Sequence, residues 1–171
     1  ADRASCAGPT CLSNWTKVGP VLASQPKEFG RIGDPARPWK ARDGRWYQVL
    51  GAAVKGVAGH AALYRARDAT LTKMDFVTSI LVENQTVGFG ENKGFFDMFE
   101  CPDFFPLGPI QPDGSQKHVF ISSAYLQGGG PLYTADGYHN AVTFWLGDWA
   151  PPAADGSGGQ LRLDSSGPVD W

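Results

Sequence analysis

Four Asp-Gly pairs, at Asp43-Gly44, Asp113-Gly114, Asp136-Gly137 and Asp155-Gly156, punctuate this chain and limit what it can fold into. Such pairs supply the positive φ angles of tight hairpin turns, which join strands rather than helices. Between them lie short runs rich in aromatic and β-branched residues, at 45–54, 60–67, 75–83, 117–125, 140–149 and 160–164, and these read as strands. The one helix-tolerant stretch, 67–74, is short and holds Thr70 and Thr72, so a turn is expected there and no long helix anywhere. With 22 Gly and 13 Pro among 171 residues, the expected class is all-β.

Charge excludes several partners. The net charge of -2 comes from 15 basic and 17 acidic residues without long like-charge runs, which leaves no footprint for nucleic acid or an anionic membrane surface. A neutral small molecule fits this balance better. No apolar run approaches the roughly 18 residues that a membrane span needs. The first residue is Ala1, so the chain is expected to be processed or cut from something longer. Cys6 and Cys11 are close enough to close a small loop in an oxidising compartment, leaving Cys101 over, and Cys101 reads as a small buried thiol. Asn14-Trp15-Thr16 and Asn84-Gln85-Thr86 are sequons and lend some support to secretion. His60, His118 and His139 stand apart from one another and from the cysteines, so neither a metal nor another cofactor is expected.

The stretch Phe99-Glu100-Cys101-Pro102-Asp103-Phe104-Phe105-Pro106 places one carboxyl between an aromatic and a Cys-Pro, with more aromatics following. Partial burial there favours the neutral acid, as a general acid near neutral pH requires, and Glu100 is the first catalytic candidate. The bland alternative is an ordinary carboxylate at the edge of a Pro-bounded strand. A coarse repeat gives it context: a Pro-containing acidic segment, an Asp-Gly turn, then hydrophobic strands. One group opens at Gly33-Asp34-Pro35, the next at Glu100-Cys101-Pro102. Alone, Asp34-Pro35 reads as a turn initiator. The spacing between the openings suits a four-stranded sheet, and radial repetition of such sheets is a β-propeller. First strands of neighbouring blades line a common channel, so the two carboxylates would converge.

Convergent carboxylates suit glycoside hydrolysis. The Glu100-Cys101-Pro102-Asp103 run resembles the Glu-Cys-Pro motif of glycoside hydrolase family 32, the invertases and fructan hydrolases. Leu12-Ser13-Asn14-Trp15-Thr16-Lys17 followed by Gly19-Pro20-Val21-Leu22 is similar to the family's Trp-containing segment. Gly33-Asp34-Pro35 with Trp39 stands where the family carries Arg-Asp-Pro and a later Trp, and the runs from Asp43 to Gly51 and Leu63 to Asp68 resemble the strand pair that follows. The resemblance implies a five-bladed propeller, incomplete here. Residues 1–171 would be part of the catalytic domain: 1–30 flanking strand and loop from a preceding blade, 31–97 one blade, 98–171 a second and the start of the next. It also implies a retaining attack on β-fructofuranosyl bonds of sucrose or fructan, with Glu100 as acid/base and Asp34 binding fructose and stabilising the transition state. Asp170, in the terminal Pro168-Val169-Asp170-Trp171, would be a further sugar contact, and the location would be secreted or vacuolar.

Two departures qualify the resemblance. The family's nucleophile, the Asp of an Asn-Asp-Pro-Asn-Gly motif, is absent from these residues, so the chain is expected to be inactive alone. Gly33 replaces the Arg of Arg-Asp-Pro, a position Arg31 or Arg37 could serve instead. A fructosyltransferase would use the same carboxylates, and a non-catalytic carbohydrate-binding piece would keep the fold without the chemistry. Among the aromatics, Trp46, Trp145 and Trp149 suit blade packing, whereas Trp39, in a Pro-rich loop, is the better sugar-binding candidate. Gly128-Gly129-Gly130 and the run from Asp155 to Gly159 read as hairpin connections, lacking the setting of phosphate loops.

Overall fold

The computed structural model describes residues 19–54, 58–83, 87–89, 92–94, 98–125 and 140–169, which contain strands and turns and no helix. The strands are β1 (Arg31–Pro35), β2 (Trp39–Lys40), β3 (Trp46–Val54), β4 (Ala58–Ala66), β5 (Met74–Glu83), β6 (Val87–Phe89), β7 (Asn92–Gly94), β8 (Met98–Ile110), β9 (Gln116–Tyr125), β10 (Asn140–Trp149) and β11 (Arg162–Pro168). One sheet has the order β1-β3-β4-β5, with β2 also on β3; a second has the order β11-β10-β9-β8, and β6 pairs only with β7. All named pairings are antiparallel. Each main sheet is therefore a meander, with neighbours in sequence lying side by side. The expected turn at 67–74 is present, with Leu71 in a left-handed conformation.

Alternation along the strands decides which face each residue serves. In β3, Tyr47 and Val49 are buried on one face and Leu50 and Ala52 on the other; in β4, Ala61 and Leu63 oppose Ala62 and Tyr64 in the same way. The first face joins Phe99, Phe104, Phe120, Trp145 and Trp149 of the second sheet in one core. The second face is covered by Phe29, Val21 and Leu22 from residues 19–30. Of the flanking segment expected over 1–30, this described part lies along the first sheet, where Leu22 makes an isolated parallel bridge to Met74.

The sheets touch at backbone distance. A Cβ on Gly51 would stand 1.7 Å from the Phe99 carbonyl oxygen, so only glycine lets β3 and β8 approach this closely. Three Asp-Gly turns share one construction. Gly44 N–H donates to the Ala41 carbonyl, Gly114 to Gln111 and Gly156 to Ala153, with φ of 78°, 81° and 84° at the glycines. In each, the Asp carboxylate accepts the amide two residues on, of Arg45, Ser115 and Ser157. The fourth pair, Asp136-Gly137, lies outside the described residues.

Candidate active site

Asp34 and Glu100 sit on the two strands that open the main sheets, β1 and β8. Each strand is interrupted at its acidic segment: the β1–β3 register shifts between Gly33 and Pro35, and the β8–β9 register between Glu100 and Asp103. The irregularity places Asp34 at φ 50° and Cys101 at φ 47°, a region that residues with a Cβ enter at a cost of about 1–3 kcal/mol each. Bulges re-aim side chains, and proteins keep such strain chiefly where it positions something.

Here it joins the two segments. The Cys101 amide donates to Asp34 Oδ2 at 3.1 Å, across 67 residues of sequence and between the two sheets. Glu100 is next in the chain, its side chain 29% exposed, with Oε1 3.6 Å from Arg31 Nη2. Behind it, the fully buried Ser122 donates its hydroxyl to the Glu100 carbonyl at 2.8 Å, tying the β8 backbone to β9 just before the register break. Asp34, Pro35, Ala36, Arg37, Cys101, Pro102 and Asp103 line an open depression of about 430 Å³. It offers carboxylates from two strands and an arginine, groups suited to sugar hydroxyls.

The thiol departs from expectation: Cys101 is exposed, not buried, because the positive φ at the register break takes it out of the strand alternation. Sequence reading also left Asp103 unassigned, although it lines the same depression. The position of Gly33 is open, with nothing within 4 Å of a Cβ built there. Of the two arginines considered as replacements for the missing one, Arg31 reaches Glu100 and Arg37 lines the depression.

Trp39 is placed elsewhere. Its ring packs 5.3 Å from Phe104, 5.8 Å from Trp149 and 6.0 Å from Tyr47, and it lines a different cavity from that of Asp34. Trp145 and Trp149 are core residues. Asp170, both sequons, Cys6, Cys11 and the Gly128-Gly129-Gly130 run lie outside the described residues. Among the described residues no cluster of three or more His, Cys, Asp or Glu could hold a metal.

Comparison with known proteins bears on the family and the fold. The chain is 30% identical over 151 residues to the Arabidopsis thaliana "Beta-fructofuranosidase, insoluble isoenzyme CWINV6", covering 81% of this chain and 25% of the relative. It is 34% identical over 149 residues to the "Sucrose-6-phosphate hydrolase" of Zymomonas mobilis subsp. mobilis, with coverage of 81% and 25%. The chain thus spans about a quarter of the length of these relatives. Among solved structures, an Aspergillus kawachii beta-fructofuranosidase complexed with glycerol superposes with a TM-score of 0.57 at 14% identity, over 84% of this chain and 25% of that one. That likeness gives the fold: the two main sheets are blades of a β-propeller that does not close into a ring among the described residues. Residues 5–164 match the model of the "Glycosyl hydrolases family 32 N-terminal domain", and the chain belongs to that family.

Proposed function

We propose that this chain carries part of the active site of a retaining β-fructofuranosidase acting on sucrose or fructan. Glu100 is the acid/base: it protonates the glycosidic oxygen as the bond to the fructosyl carbon breaks, then takes a proton from the incoming water. Asp34 binds fructose hydroxyls and stabilises the cation-like transition state. The observation that carries this reading is the Asp34 to Cys101 hydrogen bond, which brings the carboxylate of one acidic segment to the residue following Glu100. A carboxylate for the covalent intermediate comes from outside the motifs seen here, and the isolated chain is accordingly inactive by itself. A fructosyltransferase would differ only in delivering the fructosyl group to a sugar hydroxyl.

The test is fructose release from sucrose by the gene product containing these residues and by its Glu100→Gln variant. Loss of general acid catalysis lowers kcat by roughly 10²–10⁴; equal rates would remove Glu100 from the acid/base role. A second reading, a carbohydrate-binding propeller piece without catalysis, is favoured by Gly33, which stands where the family carries Arg. Saturable sucrose binding with no fructose or transfer product from that gene product selects it. A secreted or vacuolar location accompanies both readings and rests mainly on the family resemblance, with the two sequons adding minor support; enzymatic deglycosylation of protein from its source would lower its mass.

A further inference from the structure

A second cavity, of about 260 Å³, lies between the sheets and shares no lining residue with the Asp34 depression. Trp39, Lys40, Arg42, Gln116, His118 and Trp149 are among its walls. His118 is only 3% exposed. One face of its ring stacks on Phe104 at 4.8 Å and 19°, and the Trp149 ring meets it edge to face at 5.1 Å.

The hydrogen bond of this imidazole fixes what it can offer. His118 Nδ1 is 2.9 Å from the Gln116 carbonyl oxygen, which can only accept, so Nδ1 carries the proton. Burial disfavours the imidazolium, outweighing the opposing pull of that carbonyl. In the neutral ring the other nitrogen, Nε2, is then a bare acceptor. No hydrogen bond to it is seen among the described residues, and His118 is one of the residues lining the cavity. A carbonyl or carboxylate could not satisfy such an atom, whereas an O–H could. Trp39, half-buried, adds apolar ring surface, and Arg42 and Lys40 bring donors, with the Arg42 guanidinium resting over Gly114.

We propose that this cavity binds one unit of a neutral sugar, with a ring hydroxyl donating to His118 Nε2 and the sugar's apolar face against Trp39. The site shares no lining residue with the Asp34 depression and needs no turnover, so it stands whether or not the chain is catalytic. Sugar recognition by aromatic faces and planar polar side chains rests on general chemistry: C–H groups pack on the ring while hydroxyls meet fixed donors and acceptors.

The test uses the full chain with histidines labelled by ¹⁵N. Free protein should show His118 as the Nδ1–H tautomer. Fructose or glucose, titrated to about 100 mM, should move the Nε2 resonance in a saturable way, and inorganic phosphate should not. His118→Phe should weaken binding by roughly tenfold or more, as should the exposed Arg42→Ala, which keeps the test decisive if the core variant fails to fold. The response should persist in Asp34→Asn, which separates this cavity from the depression. An Nε2–H tautomer, no response to either sugar, a response to phosphate alone, or a response abolished by Asp34→Asn would each overturn the proposal.

Discussion

At the scale of single residues, the site depends on two backbone conformations that composition does not announce. Asp34 and Glu100 were legible because each stands within two residues of a proline in a segment that opens a repeat, but the link between the two segments runs through the left-handed Cys101. A positive φ at a cysteine has no sequence signal, since Asn, Asp and Gly are the residues usually associated with it. Arg31 was one of two arginines the sequence offered in place of the missing one, and only the fold shows its guanidinium reaching Glu100 from the position two residues before Gly33. Tyr64 supports a separate prediction. Its hydroxyl is buried with no partner among the described residues, and burial pushes its pKa up to about 12. An unpaired buried hydroxyl costs about 1–3 kcal/mol, so Tyr64→Phe should leave the thermal midpoint unchanged or raise it. A clear fall in calorimetric stability would show that the hydroxyl has a partner.

At the scale of elements, strands rich in aromatic and β-branched residues were readable and strands rich in proline were not. The runs at 45–54, 60–67 and 75–83 correspond to β3, β4 and β5, and those at 117–125 and 140–149 to β9 and β10. The run at 160–164 only partly overlaps β11. β8 continues through Pro102, Pro106 and Pro109 because it pairs in its sheet with β9 alone and breaks register twice. A proline without its N–H is tolerated on such an edge. The close approach of β8 to β3 belongs to this scale too. Gly51→Ala would push a methyl into the Phe99 carbonyl, and overpacking of this kind costs about 1–3 kcal/mol or more. Chemical denaturation of the variant should show a lower midpoint; an unchanged midpoint would mean that the sheets are not so close.

At the scale of the whole molecule, two half-buried or buried histidines couple folding to pH. Burial holds both His60 and His118 below the ordinary value of 6.5, against a raising influence from Glu28 and from the Gln116 carbonyl respectively. The unfolded chain therefore binds protons that the folded one refuses. Stability is full above about pH 6.5 and declines as pH falls from there towards the lower folded values. Thermal midpoints measured downward from neutral pH should fall over that window, and the fall should lessen in His60→Gln. A midpoint indifferent to pH from 7 to 5 would contradict the buried, neutral state of these rings.

The propeller blades bring two acidic segments together, and the central claim is that Glu100 acts there as acid/base. Steady-state fructose release from sucrose by the gene product containing these residues, compared with its Glu100→Gln variant, tests it most directly. The account predicts a kcat lower by roughly 10²–10⁴ in the variant, with the folded structure retained. A variant that releases fructose as fast as the unaltered protein would contradict it.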